Sequence, residues 1–251
     1  MRSGWMAAAL GLTSAVAVNA HAQTSPVVVE LFTSQGCSSC PPADAFLTDL
    51  ARQRRDLLPL AFHVTYWNDL RWKDPFSFEA ATARQRSYAA ALGDDQIYTP
   101  EMVVNGVRSF VGSDREQGLS EISRAERAQG PHIPLTLTRD TSGLVITVGQ
   151  GAGHATVLAV GFDPEHHTPI GRGENGGRTL LESNIVRSLT VAGTWSGAEV
   201  QFRKPVPAGE RFAILLQADD GRILGAATLS GLDPDPNPVG ATTQIPRGGA
   251  G

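Results

Sequence analysis

Val27-Val28-Val29-Glu30-Leu31-Phe32-Thr33-Ser34-Gln35-Gly36-Cys37-Ser38-Ser39-Cys40-Pro41-Pro42-Ala43-Asp44 is the stretch on which the fold turns. Its apolar opening, closed by Ser, Gln and Gly, reads as a buried strand. Beyond the cysteines, Ala43, Phe46, Leu47, Leu50 and Ala51 recur on one helical face, and Pro42 suits the helix's first turn. The two cysteines, the only ones in the chain, therefore fall at a strand-to-helix junction. The positive end of the helix dipole there favours a thiolate. With two residues between them, the sulfurs can close a small ring and reopen it by thiol exchange. Cys37, at the exposed junction, is expected to attack, and Cys40, one turn in, to resolve.

The chain around this pair sets its redox setting. Arg2, an apolar run from Met6 to Val18 and Ala20-His21-Ala22 have the pattern of a cleaved signal peptide, with cleavage after Ala22. No stretch is long enough for a transmembrane helix, and no cysteine marks a lipid anchor, so a periplasmic or secreted protein without a membrane anchor is expected. In an oxidising compartment a disulfide persists, and a structural bridge is the plainer alternative. Closing so short a loop stabilises by only roughly 2 kcal/mol, against about 4.7 for a loop of 100 residues, which favours a reactive role. Segment 1–22 carries Arg2 and no acid, so its removal takes the net charge from −4 to −5. That balance argues against nucleic acid as a partner. The oligomeric state has no signature.

Strand and helix patterns alternate up to residue 130. Leu58–Val64 reads as the second strand, and Asp74-Pro75 as the N-cap and first residue of a helix ending before Gly93. Asn105-Gly106 marks a hairpin between Glu101–Val104 and Val107–Val111. Ser113-Asp114-Arg115-Glu116 matches a capping box opening a helix with Leu119 and Ile122 inward. The order β-α-β-α-β-β-α is that of a minimal thioredoxin fold. After Gly130-Pro131, seven short strands separated by turn residues suggest a β-sandwich. The expectation is thus an α/β thioredoxin-like domain (23–130) followed by an all-β sandwich-like domain (131–230) and a disordered tail (231–251).

The segment from Glu30 to Asp44 closely resembles the opening motif of a secreted bacterial thioredoxin-like family that carries a domain-of-unknown-function label. Three further segments resemble it as well: His63-Val64-Thr65-Tyr66-Trp67-Asn68-Asp69-Leu70-Arg71-Trp72-Lys73-Asp74-Pro75-Phe76, Tyr98-Thr99-Pro100-Glu101-Met102-Val103-Val104-Asn105-Gly106 and Gly171-Arg172-Gly173-Glu174-Asn175. The resemblance implies the two-part architecture and a thiol–disulfide chemistry, but it names no substrate. It makes Pro100 the counterpart of the cis-proline that faces the C-x-x-C pair, with the Thr99 backbone free to pair with substrate. It also offers Glu30 as a buried proton relay for Cys40, although the offset from the first cysteine is one residue longer than in thioredoxins. The alternative for Glu30 is a strand-end glutamate that faces solvent or bonds Ser34 or Gln35.

His63 and Trp67 read either as accessory groups beside the cysteines or as a satisfied core histidine with an aromatic that anchors a loop. The segment from Gly171 to Arg178 reads as a mobile turn, as a clamp for an anion, or as a loop docked on the first domain through its arginines and glutamate. The expected activity is an exported thiol–disulfide oxidoreductase acting on protein or small-molecule thiols and disulfides. Cys37 and Cys40 would be catalytic, Thr99 and Pro100 would shape the groove, and no cofactor or metal is needed. The rivals are a copper or other soft-metal binding protein using Cys37, Cys40 and His63, and a binding module with an inert disulfide.

Overall fold

A computed structural model describes residues 25–68, 71–128, 130 and 133–229. The expected signal peptide (1–22) and tail (231–251) lie outside these residues. Two sheets and three helices are present among them, and the strands form an eight-stranded sheet and a three-stranded one. The first segment contributes β1 (Val27–Thr33), α1 (Pro41–Gln53), β2 (Leu57–His63), α2 (Glu79–Leu92), β3 (Glu101–Val104), β4 (Arg108–Val111) and α3 (Arg115–Arg127). The rest contributes β5 (Leu135–Asp140), β6 (Gly143–Val148), β7 (Ala155–Pro169), β8 (Thr179–Trp195), β9 (Val200–Lys204), β10 (Arg211–Gln217) and β11 (Ile223–Thr228).

The expected fold class, a thioredoxin-like α/β domain followed by a separate all-β sandwich, is overturned by the topology. The large sheet runs β11-β10-β7-β8-β2-β1-β3-β4, so strands from both segments form one mixed, mostly β architecture. The junction is a parallel bridge between Ala61 of β2 and Ile185 of β8. Beside it the Asn184 side chain donates to the Pro59 carbonyl (2.8 Å), and Thr48 of α1 donates to Ser183 (3.0 Å). Such a cross-pairing leaves no mark in local periodicity. The strands β7 and β8 are also long, 15 and 17 residues, and their hairpin has bulges after Val157 and Gly161. The far end of that hairpin reaches α1 and carries the connecting turn to the cysteines.

Alternation along β1 divides its side chains between two cores. Val27, Val29 and Leu31 pack against Phe46, Leu47 and Leu50 of α1 and Ile122 of α3. Val28 and Phe32 join Ala81 and Tyr88 of α2 on the opposite face, together with Val160, Val186 and Leu215 of the later strands. The three-stranded sheet β5-β6-β9 forms a third core with Val157, Ala159, Ile214 and Trp195.

Local expectations fared unevenly. Asn105 and Gly106 both take positive φ (48° and 68°) in the hairpin turn, and Gly93 ends α2 in the left-handed region. The helix expected at Asp74-Pro75 instead starts at Glu79 behind Phe78, because the Asp74 carboxylate is engaged elsewhere. Asp114, not Ser113, caps α3 by accepting from the Gln117 N–H (3.0 Å). Ile122 of that helix is buried, while Leu119, also expected inward, is 47% exposed.

Candidate functional site: a covered disulfide beside a buried acid cluster

After β1 the chain turns tightly. Ser34 accepts from the Gly36 N–H on its hydroxyl and from the Cys37 N–H on its carbonyl (both 3.1 Å). Cys37 and Cys40 are joined in a disulfide. Cys40 is the N-cap of α1, and its carbonyl accepts from Ala43 (2.8 Å) and Asp44 (3.1 Å). Pro41 and Pro42, in the first turn, have no N–H to leave unpaired there. Ser38 and Ser39 are exposed, but both cysteines have 0% exposure.

The 171–178 loop between β7 and β8 docks on the cysteine turn. The Asn175 carboxamide, itself fully buried, donates to the carbonyls of Gln35 (3.0 Å) and Cys37 (2.9 Å). Glu174 accepts from the Ser38 N–H (3.1 Å). The Arg178 guanidinium donates to the Asn175 side-chain oxygen Oδ1 (3.0 Å), so one arginine acts through the asparagine.

A cluster of buried polar groups lies on the α1 face of β1 and β2. The carboxylate of Asp74 accepts from the Gln35 N–H (2.9 Å), the Phe76 N–H (2.9 Å) and His63 Nδ1 (2.7 Å). Burial works against that ionisation, but His63 and the backbone donors hold the Asp74 pKa below its usual value. Burial would lower the pKa of the His63 imidazole, yet Asp74, Glu182 and Asp44 together raise it to about 9. Both its nitrogens then carry protons. Glu182 accepts from Gln35 Nε2 (2.7 Å) and Thr168 (3.2 Å), and burial raises its pKa. Its other oxygen lies 3.7 Å from His63 Nε2, and both atoms lack a hydrogen-bond partner.

Asp44 completes the cluster from α1, with Thr33 donating to it at 2.8 Å. Burial and then the nearby Glu182 push its pKa up to about 7. A residue four places after Cys40 in a helix lies on the same face, one turn on. The cluster therefore places a carboxyl group that titrates near neutrality one turn from the second sulfur.

The other candidate residues divide. The Thr99–Pro100 peptide is cis. Trp67 Nε1 donates to the Thr99 hydroxyl (2.7 Å), and the Trp67 β-carbon would lie 3.3 Å from a β-carbon on Gly36. Trp67 thus ties the residue before Cys37 to Thr99. The β-carbons of Ala43 in α1 and of Pro100 both lie within 3.4 Å of the β-carbon position of Gly112, so Pro100 borders the first turn of α1. Glu30 is not brought to the disulfide. It points to the α2 face, paired with Arg84 (2.6 and 3.0 Å) and accepting from the Tyr88 hydroxyl. His63 faces the carboxylates, and among the described residues no group of three or more His, Cys, Asp or Glu side chains has the arrangement of a metal site.

Sequence reasoning missed Asp44, Asp74, Glu182, Gln35 and Asn175. One of these had a usable signal. Asp44 follows Cys40 at helical spacing, and its partner Thr33, not Glu30, shares the α1 face of β1 by alternation.

The chain belongs to a family described as a protein of unknown function, DUF1223, whose model matches residues 28–217. It is similar to the crystal structure of protein AGR_C_4864 from Agrobacterium tumefaciens, at 31% identity and a TM-score of 0.72, over 82% of this chain and 95% of that one. HBP35 of Porphyromonas gingivalis is similar in fold alone, at 13% identity and a TM-score of 0.54, over 89% of this chain and 81% of that one. No match was found among curated proteins.

Proposed function

We propose that the protein is an exported thiol–disulfide oxidoreductase acting on protein or small-molecule thiols and disulfides. The observation that carries the reading is a disulfide at the N-terminus of α1 with Asp44, a buried carboxyl with a pKa of about 7, one turn from Cys40. The signal-peptide pattern of residues 1–22 supports export.

In the oxidising direction a substrate thiolate attacks Cys37 Sγ, and the S–S bond breaks. Cys40 leaves with the electron pair and takes a proton from Asp44. A second substrate thiolate then attacks the substrate sulfur of the mixed disulfide and releases the Cys37 thiolate, stabilised by the helix dipole. Two electrons pass from the substrate to the protein. In the reducing direction each step runs backward, with ionised Asp44 taking the proton from Cys40 so that it can attack Cys37 Sγ. Trp67, Thr99 and Pro100 would border the substrate groove.

The test is a trap. Cys40→Ser in the full chain, expressed in cells, should accumulate mixed disulfides through Cys37, identified by mass spectrometry, and Cys37→Ser should accumulate none. Equal or absent capture in the two variants contradicts the reading. A second reading, an inert structural bridge, is favoured by the complete burial of both cysteines.

A further inference from the structure

We infer that the 171–178 loop is a displaceable cover of the disulfide, held shut by Asn175 and opened by a polypeptide thiol substrate whose backbone N–H groups take over the acceptors that Asn175 releases. This extends the oxidoreductase reading, but the cover itself can be tested by chemistry that needs no natural partner.

Thiol exchange requires access to a sulfur, and here both cysteines are fully buried although the two serines between them are exposed. From this loop, one carboxamide and one carboxylate bond the turn. Asn175 donates to Gln35 and Cys37 carbonyls, and Glu174 accepts from Ser38. The remaining bonds of the loop are largely its own. Ile170 donates to Arg178, Gly177 to Ile170 and Gly176 to Gly173. Lifting the loop as a unit would break the three bonds to residues 35–38 and keep the internal ones. Gly173 and Gly177, at φ 86° and 81°, give it hinge positions that side chains rarely permit.

The chemistry of the released turn selects the substrate. When Asn175 leaves, the Gln35 carbonyl loses its side-chain donor and the Cys37 carbonyl keeps only the Cys40 N–H (3.3 Å), which buried acceptors do not tolerate well. A small thiol has no donor pair to replace them. An extended polypeptide has one every second residue, as in edge-strand recognition. Asn175 thus occupies the place of a substrate amide, and Glu174 adds a contact at the positive end of α1.

The experiment measures the rate of mixed-disulfide formation on the full oxidised chain, by acid quench and mass. The probes are mercaptoethanol and an unstructured peptide with a single cysteine. Asn175→Ala should speed attack by mercaptoethanol by roughly tenfold, the effect expected from losing hydrogen bonds in a closed state. Glu174→Ala should speed it by a smaller factor. Arg172→Ala, in the same loop but without a bond to the turn, should leave the rate unchanged. The wild-type preference for the peptide over mercaptoethanol should shrink in Asn175→Ala. Unchanged rates in Asn175→Ala and Glu174→Ala, or equal acceleration by Arg172→Ala, overturn the inference. Glu174 is exposed, so its variant decides the matter even where Asn175→Ala fails to fold. An inert bridge would reveal itself in its reduction potential and leave these rate ratios intact, so the two readings fail separately.

Discussion

Two buried charged clusters lie on opposite faces of the β1–β2 pair, and they are built on opposite principles. On the α2 face Glu30 meets one cation. Arg84 grips both of its oxygens and also donates to Gln217 and Tyr88, and Tyr88 donates to Glu30. Charge is balanced there and each polar atom is paired. On the α1 face His63 confronts Asp74, Glu182 and Asp44, and two atoms facing each other remain without partners. Balanced, saturated ion pairs hold a core together. An excess of buried acid instead raises the proton affinities of Asp44, Glu182 and His63, the kind of perturbation found at functional sites.

The contrast can be broken first at its stable side. Arg84→Met would leave Glu30 buried without a cation, and the loss of unfolding free energy should be about 3–5 kcal/mol in a urea titration. A loss under about 1 kcal/mol would deny that cluster its structural role. On the other face the expected effect depends on pH. The pKa of His63 is about 9 in the folded protein against 6.5 for a free imidazole, so its stabilisation is complete below pH 6.5 and is lost as pH rises through 9. The total is on the order of 3 kcal/mol, and Asp44, with its raised pKa, contributes in the same direction between pH 4 and 7. Urea midpoints should fall from pH 6.5 to 9, and His63→Gln should flatten that slope. A flat wild-type profile would show that the acids do not hold the proton on His63.

Asp44→Asn keeps the shape and the Thr33 contact but removes the titrating proton. Release of a Cys37 mixed disulfide through Cys40 should slow by about a hundredfold at pH 7 with stability undiminished. An unchanged release rate would remove Asp44 from the chemistry. The smallest effect is expected for Glu182→Gln. Deleting one buried charge from an acid-rich cluster should raise the unfolding free energy at pH 8 by about 1 kcal/mol or less. A clear destabilisation would mean that this cluster, like that of Glu30, is tuned for stability.

The parts of this molecule that were legible in the sequence are those specified by neighbours in the chain. The Asn105-Gly106 turn, the Gly93 stop and the strand content after residue 131 all follow from local backbone preference. Pairing is different. Nothing near Ile185 says that it joins Ala61, and that bridge turns two expected layers into one sheet. Asp74 shows the same limit at the site. Its Asp-Pro context reads as a helix cap, yet its carboxylate serves Gln35, 39 residues earlier, and His63. Glu182 and Asn175 reach the cysteine turn only because a long hairpin delivers them. Asp44 was legible but overlooked, since an acid in the first turn of a helix looks like an ordinary dipole partner.

The central claim is that Cys37 and Cys40 form a pair that cycles and is not a locked staple. Equilibrating the full protein in graded glutathione and dithiothreitol buffers, and reading the thiol state by mass, gives its reduction potential. The account predicts a value above about −300 mV, within reach of cellular thiol couples. A value well below that line would contradict it and leave a structural disulfide beneath a permanent cover.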